Sequence, residues 1–220
     1  MAFHALITFH SCVFRNATDL NTMPASLGWI TPGHLQEDEM AGSTLETAMT
    51  AISAQWGPLT TELVESTRLQ IEALAKAPSD EPWLAELHRT QPATRELYRD
   101  PVHGFVLLAH FETAGLYRAP HDHGRSWVIY AVQSGESEMG TYGRLDDGNG
   151  QPRLVKRNST LVRPGEVQAY LPGDIHDTLC VSGPALLFRF TAMDLKKEDL
   201  VEHRVTRYSQ RDRQWIAATK

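Results

Sequence analysis

Three histidines have the spacing expected of a metal site. His121 and His123 are separated by one residue and precede the apolar, β-branched and aromatic run from Trp127 to Val132, which favours a buried strand. In an extended chain residues i and i+2 share a face, so both imidazoles are expected to point the same way. His176 is the only later histidine in a comparable setting. The predicted ligand set is therefore three histidines on two separated strands.

Composition excludes several classes of protein. The chain has 220 residues, of which 41% are hydrophobic and 22% charged, as is usual for one globular domain. A net charge of -6 without a block of Lys or Arg argues against a nucleic-acid surface. No apolar run approaches the roughly 20 residues that span a bilayer. We therefore expect small molecules as partners, no nucleic acid and no membrane. The oligomeric state stays open.

The two cysteines, Cys12 and Cys180, bear on the cellular setting. Two cysteines far apart provide neither a disulfide framework nor the CxxC motif of structural zinc sites. This usage favours a reducing, cytoplasmic environment. Nothing basic near Cys180 suggests a lowered thiol pKa, so Cys180 is interpreted as a small buried residue.

Residues 1–39 lack a regular hydrophobic period and are interrupted by Pro and Gly, so they are expected to form a disordered, dispensable extension. They also lack the basic start and apolar core of a secretory signal. Helical patterning begins just after Met40, which leaves open that translation begins there. Residues 40–220 are expected to form a single domain.

Within that domain the hydrophobic period changes once. Apolar residues at helical spacing predict helices within 43–91 that pack on the outside of a sheet. From about 102 to 192, short apolar runs separated by Gly and Pro predict about eight strands, with a loop at 146–150. Short, closely spaced strands are typical of a small barrel or jelly roll. Residues 193–220 form a charged tail.

Two short motifs resemble those of the cupin superfamily, whose fold is a double-stranded β-helix barrel. The first motif is Gly, five residues, His-x-His, three or four residues, Glu, six residues, Gly. Its positions are matched by Gly115, His121, His123 and Gly135, with Val128 in place of Glu.

The second motif is Gly, five residues, Pro-x-Gly, two residues, His, three residues, Asn. Gly165 occupies its first position and His176 the position of the third ligand, with adjacent Pro172 and Gly173 in place of Pro-x-Gly. Cys180 stands where Asn is usual. The resemblance implies a mainly β cupin barrel, preceded here by the predicted helices, and a metal bound by the three histidines.

The missing carboxylate ligand restricts the resemblance to a smaller group within the superfamily. Three neutral imidazoles leave the charge of a divalent metal uncompensated, and an anionic substrate atom can supply the compensation. This ligand set resembles that of the cysteine dioxygenase group, which implies Fe(II) and open positions for a thiolate substrate and dioxygen. Thr94-Arg95-Glu96-Leu97 is similar to that group's Thr-Arg-Asn-Leu and has the same spacing of 26 positions to His121.

The resemblance implies that Arg95 holds a substrate carboxylate through its planar, bidentate guanidinium. A solvated residue at a helix end remains the alternative interpretation of Arg95, and Arg99 is the substitute if the register differs. The group's Ser-x-His-x-Tyr relay would fall on Leu187 to Thr191, where its imidazole and phenol are absent. Arg189 offers a positive group there instead.

Other residues near the ligands have weaker signals. Tyr130 and Tyr142 point into the barrel by alternation and can donate a hydrogen bond to substrate or bound oxygen, although buried tyrosines more often have structural partners. His110 is interpreted as a core or rim histidine. Asp122 is expected to face away from the ligands, and Trp127 either walls the pocket or belongs to the core.

The first functional hypothesis is a mononuclear non-haem iron dioxygenase acting with O2 on a small anionic molecule, with or without a thiol. Three histidines plus water also describe catalytic zinc. A zinc, nickel or manganese cupin that isomerises or hydrolyses its substrate is therefore the second hypothesis. The third hypothesis is a non-catalytic cupin that senses a ligand.

Overall fold

The structure is a computed structural model that describes residues 42–145, 153–211 and 213–218. The expectations for residues 1–39, for a start at Met40 and for the loop at 146–150 lie outside these ranges. In the part that is described, no helix combines the length and apolar character needed to cross a lipid bilayer.

Three helices precede the sheet, and local sequence explains where each begins. They are α1 (Thr44–Ala54), α2 (Thr61–Ala75) and α3 (Pro82–Thr90). The hydroxyls of Ser43 and Thr60 accept hydrogen bonds from the backbone N–H groups of Glu46 and Leu63, which caps the first two helices. The third begins with a proline, whose fixed φ and missing N–H suit the first turn.

The described strands form one antiparallel sheet. In chain order they are β1 (Arg95–Arg99), β2 (Val106–Glu112), β3 (Tyr117–His121), β4 (Val128–Leu145), β5 (Arg153–Val162), β6 (Val167–Tyr170), β7 (Ile175–Thr191), β8 (Tyr208–Arg211) and β9 (Gln214–Ala217). A π-helical turn at Lys197–Val201 interrupts the C-terminal segment between β7 and β8.

The two long strands, β4 and β7, pair with each other and each changes its other partner halfway along. The first half of β4 pairs with β6 and the second half with β5. Similarly, β3 pairs with the first half of β7, and β2 with the second half. This exchange curls the sheet, as in a jelly roll. The predicted mainly β, jelly-roll class with N-terminal helices is confirmed.

Gly135 lies where β4 bends. Its φ is +76°, and a Cβ added there would approach the Cβ of Ala185 to 2.6 Å. The β4–β7 register shifts on both sides of this residue. Any residue other than glycine at position 135 is therefore disfavoured for two reasons, the positive φ and the close approach of β7.

Successive side chains of β4 and β7 point to opposite faces of the sheet, so these strands contribute to two separate apolar clusters. Ile129 and Phe188 belong to the cluster that includes the helices. Trp127 packs in the same cluster, with its ring centroid 5.2 Å from that of Phe190. Val128 and Leu187 belong to the other cluster, inside the curled sheet. Trp127 is thus a core residue, and any side chain in phase with Leu187 faces the interior.

Candidate metal centre

The three predicted ligands converge at one end of the curled sheet. One nitrogen from each of His121, His123 and His176 lies within 4.8 Å of the other two. The ring centroids are 4.8 to 5.0 Å apart. Among the described residues this is the one His, Cys, Asp or Glu cluster whose geometry suits a metal ion.

The predicted common strand for His121 and His123 is not observed. β3 ends at His121, which pairs with His176 of β7. His123 lies in the loop before β4, where the backbone N–H of Gly124 donates to Asp122 Oδ1. Gly124 follows in a short turn, at φ +62°. Backbone pairing continues just beyond β3, because His121 bridges to Arg207 and the backbone N–H of Asp122 donates to the carbonyl oxygen of Thr206.

Asp122 faces away from the three imidazoles, as expected, and holds the loop in place. Its Oδ1 also accepts a hydrogen bond from the backbone N–H of Thr206, and its Oδ2 accepts one from Arg144 at 2.8 Å. Asp122 therefore connects the loop that carries His123 to the C-terminal segment.

The donor set fits a divalent metal. His121 Nδ1 lies 2.9 Å from the carbonyl oxygen of Ala119, so Nδ1–H donates and Nε2 is left as the ligand atom. His123 Nε2 and both ring nitrogens of His176 are buried without a hydrogen-bond partner among the described residues. A metal ion would satisfy these orphaned groups, whose burial otherwise costs free energy.

The electrostatic environment keeps these imidazoles in their ligand form. Burial is the main cause that lowers the pKa of His121, and it lowers the pKa values of His123 and His176 still further. The neighbouring histidines and Arg189 act in the same direction on the last two. Neutral imidazole is the species that binds a metal.

Two tyrosines flank the histidines from the interior. Tyr170, at the end of β6, stacks on His176 with ring centroids 3.9 Å apart. Tyr130, on β4, lies 5.2 Å from His176 and 6.3 Å from His123. Tyr130 was predicted from the sequence as a residue near the ligands, and Tyr170 was not. The position of Tyr170, just before the Pro-Gly turn of the second motif, indicated that it lies close to the third ligand.

Tyr142, by contrast, has a structural partner. Its hydroxyl donates to Asp177, which also accepts a hydrogen bond from Tyr117 at 2.9 Å. Cys180 is buried, and burial raises the pKa of its thiol, as expected for an unreactive cysteine. Val128, at the position of the missing glutamate, is fully buried in the interior cluster and offers no ligand atom.

Arg189 projects from β7 toward the interior of the curled sheet. It lies opposite Tyr130 on β4 and Leu108 on β2, in phase with Leu187. Its Nε is buried and has no hydrogen-bond partner among the described residues. Arg189 lines a cavity of about 200 Å³ together with His121 and His123. It also lines a neighbouring cavity of about 350 Å³.

Arg95 is not brought to the histidines. It is exposed on β1 and paired with Ala109 of the helix-side cluster. Its charge adds a small contribution to the lowered pKa of Glu86 on α3, whose main cause is the hydrogen bond from Arg89. Arg99 does line the 350 Å³ cavity, where it forms ion pairs with Glu96 and Asp194 at 2.8 Å. Of the three arginines considered, Arg189 is therefore the one that reaches the metal site.

Acid should destabilise the metal-free protein. Burial lowers the pKa of His110 to about 3, and the pKa values of His123 and His176 well below the unfolded value of about 6.5. The folded state binds fewer protons than the unfolded state, so stability is complete above about pH 6.5 and declines as the pH falls below it. Each such histidine contributes up to about 1.4 kcal/mol per pH unit in this window.

Urea denaturation in the presence of a chelator at pH 7, 6 and 5 measures this slope. In His110→Leu the unfolding free energy should depend less steeply on pH, by the amount that corresponds to about one bound proton. A free energy of unfolding that is constant or rises toward pH 5 would contradict the expectation.

No family model and no curated protein sequence matches this chain. Parts of it are similar to solved structures. KdgF from Halomonas sp. is 17% identical with a TM-score of 0.35, over 44% of this chain and 74% of KdgF. An oxalate oxidase in complex with the substrate analogue glycolate is 25% identical with a TM-score of 0.36, over 47% of this chain and 53% of the oxidase.

The cupin domain of Schizosaccharomyces pombe Cnp3 is 12% identical with a TM-score of 0.36, over 48% of this chain and 63% of that domain. The likenesses cover less than half of this chain, and only about half of the oxidase. The functional conclusion therefore depends on the geometry of this chain's own residues. It defines a mainly β, jelly-roll protein with a three-histidine candidate metal centre.

Proposed function

We propose that the protein is a mononuclear non-haem iron dioxygenase of the cysteine dioxygenase type, which oxidises a small anionic substrate, with or without a thiol, with O2. The observation that carries the proposal is the convergence of three neutral histidines beside the Nε of Arg189; within the residues that the structure describes, no carboxylate joins the cluster and that Nε has no partner. When bound, Fe(II) would supply open positions for substrate and oxygen and a path for electrons from the substrate to O2.

Charge balance supports an anionic substrate. Three neutral imidazoles do not offset the charge of a divalent ion, and Val128 removes the carboxylate that could. Arg189 adds a further positive charge, which lowers the pKa values of His123 and His176. A buried site with this excess of positive charge favours a ligand that brings negative charge.

The surrounding residues have separate tasks. Arg189 binds and orients the carboxylate of the substrate, which converts a random encounter into a positioned reaction. Tyr130 lines the same opening as Arg189 and His121, where its hydroxyl can donate a hydrogen bond to a substrate oxygen. Burial raises the pKa of Tyr170, so its phenol stays protonated next to His176.

The C-terminal segment narrows access to the centre. Leu195, Leu200 and Val205 line the cavity beside His121 and His123. The guanidinium of Arg207 at the same opening forms a bidentate ion pair with Asp199, at 2.6 Å for both contacts. These apolar and paired residues limit the entry of water to the reacting atoms.

The test is anaerobic loading with Fe(II), followed by oxygen uptake over a panel of thiol and non-thiol carboxylic acids. We expect about one iron per chain and uptake that depends on one class of acid. Iron loading without stimulated uptake by any acid would contradict the dioxygenase.

A zinc, nickel or manganese isomerase or hydrolase is the alternative, because three histidines and a water molecule also describe catalytic zinc. Metal analysis of protein purified without chelator separates the two. Stoichiometric zinc, with turnover that persists without oxygen, would favour the alternative.

A further inference from the structure

His110 is a buried histidine outside the metal cluster. Its side chain is 8% exposed, and its position opposite Leu187 on β7 places it on the interior face of β2. Its Nε2 is buried and has no hydrogen-bond partner among the described residues. An unsatisfied polar atom at such a position is uncommon in proteins and needs an explanation.

Thr94 determines the tautomer of this ring. The hydroxyl of Thr94 donates its single proton to the carbonyl oxygen of Ala93 at 2.8 Å. The same oxygen lies 3.0 Å from His110 Nδ1, and with the hydroxyl proton directed at Ala93 we assign the ring proton to Nδ1, which donates to Thr94. Nε2 is then a lone-pair acceptor. Burial, with Arg189 and Arg118, lowers the pKa of His110 to about 3, which keeps the ring neutral at pH 7.

The ring lies in the wall of a cavity next to the metal centre. This cavity of about 350 Å³ is lined by His110, Thr94 and Arg189. Three of its lining residues, Arg189, Leu195 and Lys196, also line the cavity that contains His121 and His123. A ligand held by Arg189 beside the metal would therefore meet His110 on its other side.

We propose that His110 is a substrate-recognition residue, whose Nε2 accepts a hydrogen bond from an O–H or N–H group of a substrate whose carboxylate is bound by Arg189. The proposal rests on the proposed function, because the substrate is the anion of the three-histidine centre. It specifies the substrate class as a small carboxylate that carries a protic group as well as the atom bound to the metal.

The expected effect is selectivity rather than general affinity. A site built around a buried acceptor rejects an analogue that lacks the donor, because the acceptor is left unpaired. We expect the wild type to bind the protic member of a matched pair about 10 to 100 times more tightly. In His110→Leu this preference should fall below about threefold, with the affinity for the aprotic member unchanged or improved.

The experiment uses isothermal titration of the full, metal-loaded chain under anaerobic conditions with four acids. L-glycerate is paired with L-lactate, and L-cysteine with 3-mercaptopropionate; the second acid of each pair keeps the atom for the metal and lacks the further protic group. The variants are His110→Leu, His110→Gln, which retains an acceptor, and Thr94→Val, which removes the group that sets the tautomer. His88→Leu is the matched control, because His88 lies on α3 with its ring edge against Phe111.

Selectivity that is lost in His110→Leu, reduced in Thr94→Val and retained in the control supports the proposal. Equal affinity within both pairs in the wild type, binding of none of the four acids, or selectivity that survives His110→Leu overturns it. Nitrogen NMR of the wild type tests the tautomer without any variant, and an Nε2–H form would also overturn the proposal.

Oxygen uptake separates this result from the proposed function. Selectivity that depends on His110, together with no uptake for any acid, would remove the dioxygenase and leave the recognition site. Oxygen uptake together with unselective binding would support the dioxygenase and remove the recognition role of His110.

Discussion

Replacing His176 with alanine is expected to lower the metal content of the purified protein from about one ion per chain to less than a tenth. His176 is fully buried, lies opposite His121, and has two ring nitrogens that find no hydrogen-bond partner in the described part of the chain. Loss of one of three protein ligands should weaken binding by more than about 100-fold, since even the loss of an outer-shell partner costs 10- to 100-fold.

The metal-free variant should remain folded. The apolar clusters that hold β4 against β7 do not depend on the histidines. Circular dichroism and elemental analysis of the same samples measure fold and metal content together. The double replacement of His123 and His176 should cost little more than either single replacement, because both act on one ion.

His88→Ala is the matched control, because it removes an imidazole from α3 and leaves the three-histidine cluster intact. Retention of stoichiometric metal by His176→Ala, or equal metal loss in the control, would show that the three histidines are packed residues and not ligands.

Arg189→Met is expected to reduce kcat/KM for an anionic substrate by about 100- to 1,000-fold while the metal stays bound, as is typical when one partner of a buried, charge-assisted contact is removed. Methionine keeps most of the apolar volume of the side chain and removes the guanidinium. Arg189→Lys should recover part of the loss, since it restores the charge but not the two-pronged geometry.

Arg95→Ala distinguishes the two arginines. The family resemblance implies that Arg95 binds the carboxylate, whereas the structure places its side chain in solvent near Glu86. We expect Arg95→Ala to change kcat/KM by less than about twofold, because an exposed charge in solvent contributes little. A large loss in Arg95→Ala with a small one in Arg189→Met would reverse the assignment and support the resemblance.

The fold class was predictable because its signals are local. Alternating apolar runs with Gly and Pro between them indicate short strands, and capping residues indicate the three helices. The residue types of the metal site were predictable for a similar reason, since His121, His123 and His176 have fixed motif spacings. The common strand assumed for the first two was wrong, because the turn at Asp122 and Gly124 depends on a contact with Thr206 that is distant in sequence.

The sequence by itself thus determined a jelly-roll class with three candidate ligands, because side-chain period and motif spacing are properties of neighbouring residues. The tertiary structure decided which charges and rings face those ligands. Pairing of Arg95 with Ala109 directs Thr94 toward His110 and Arg95 toward the helices, and a register one residue different would exchange them. The stacking of Tyr170 on His176 likewise depends on the pairing of both strands with β4, which places Tyr170 opposite Val128 and His176 opposite Thr141. Such choices depend on the pairing of distant strands, which no local pattern specifies.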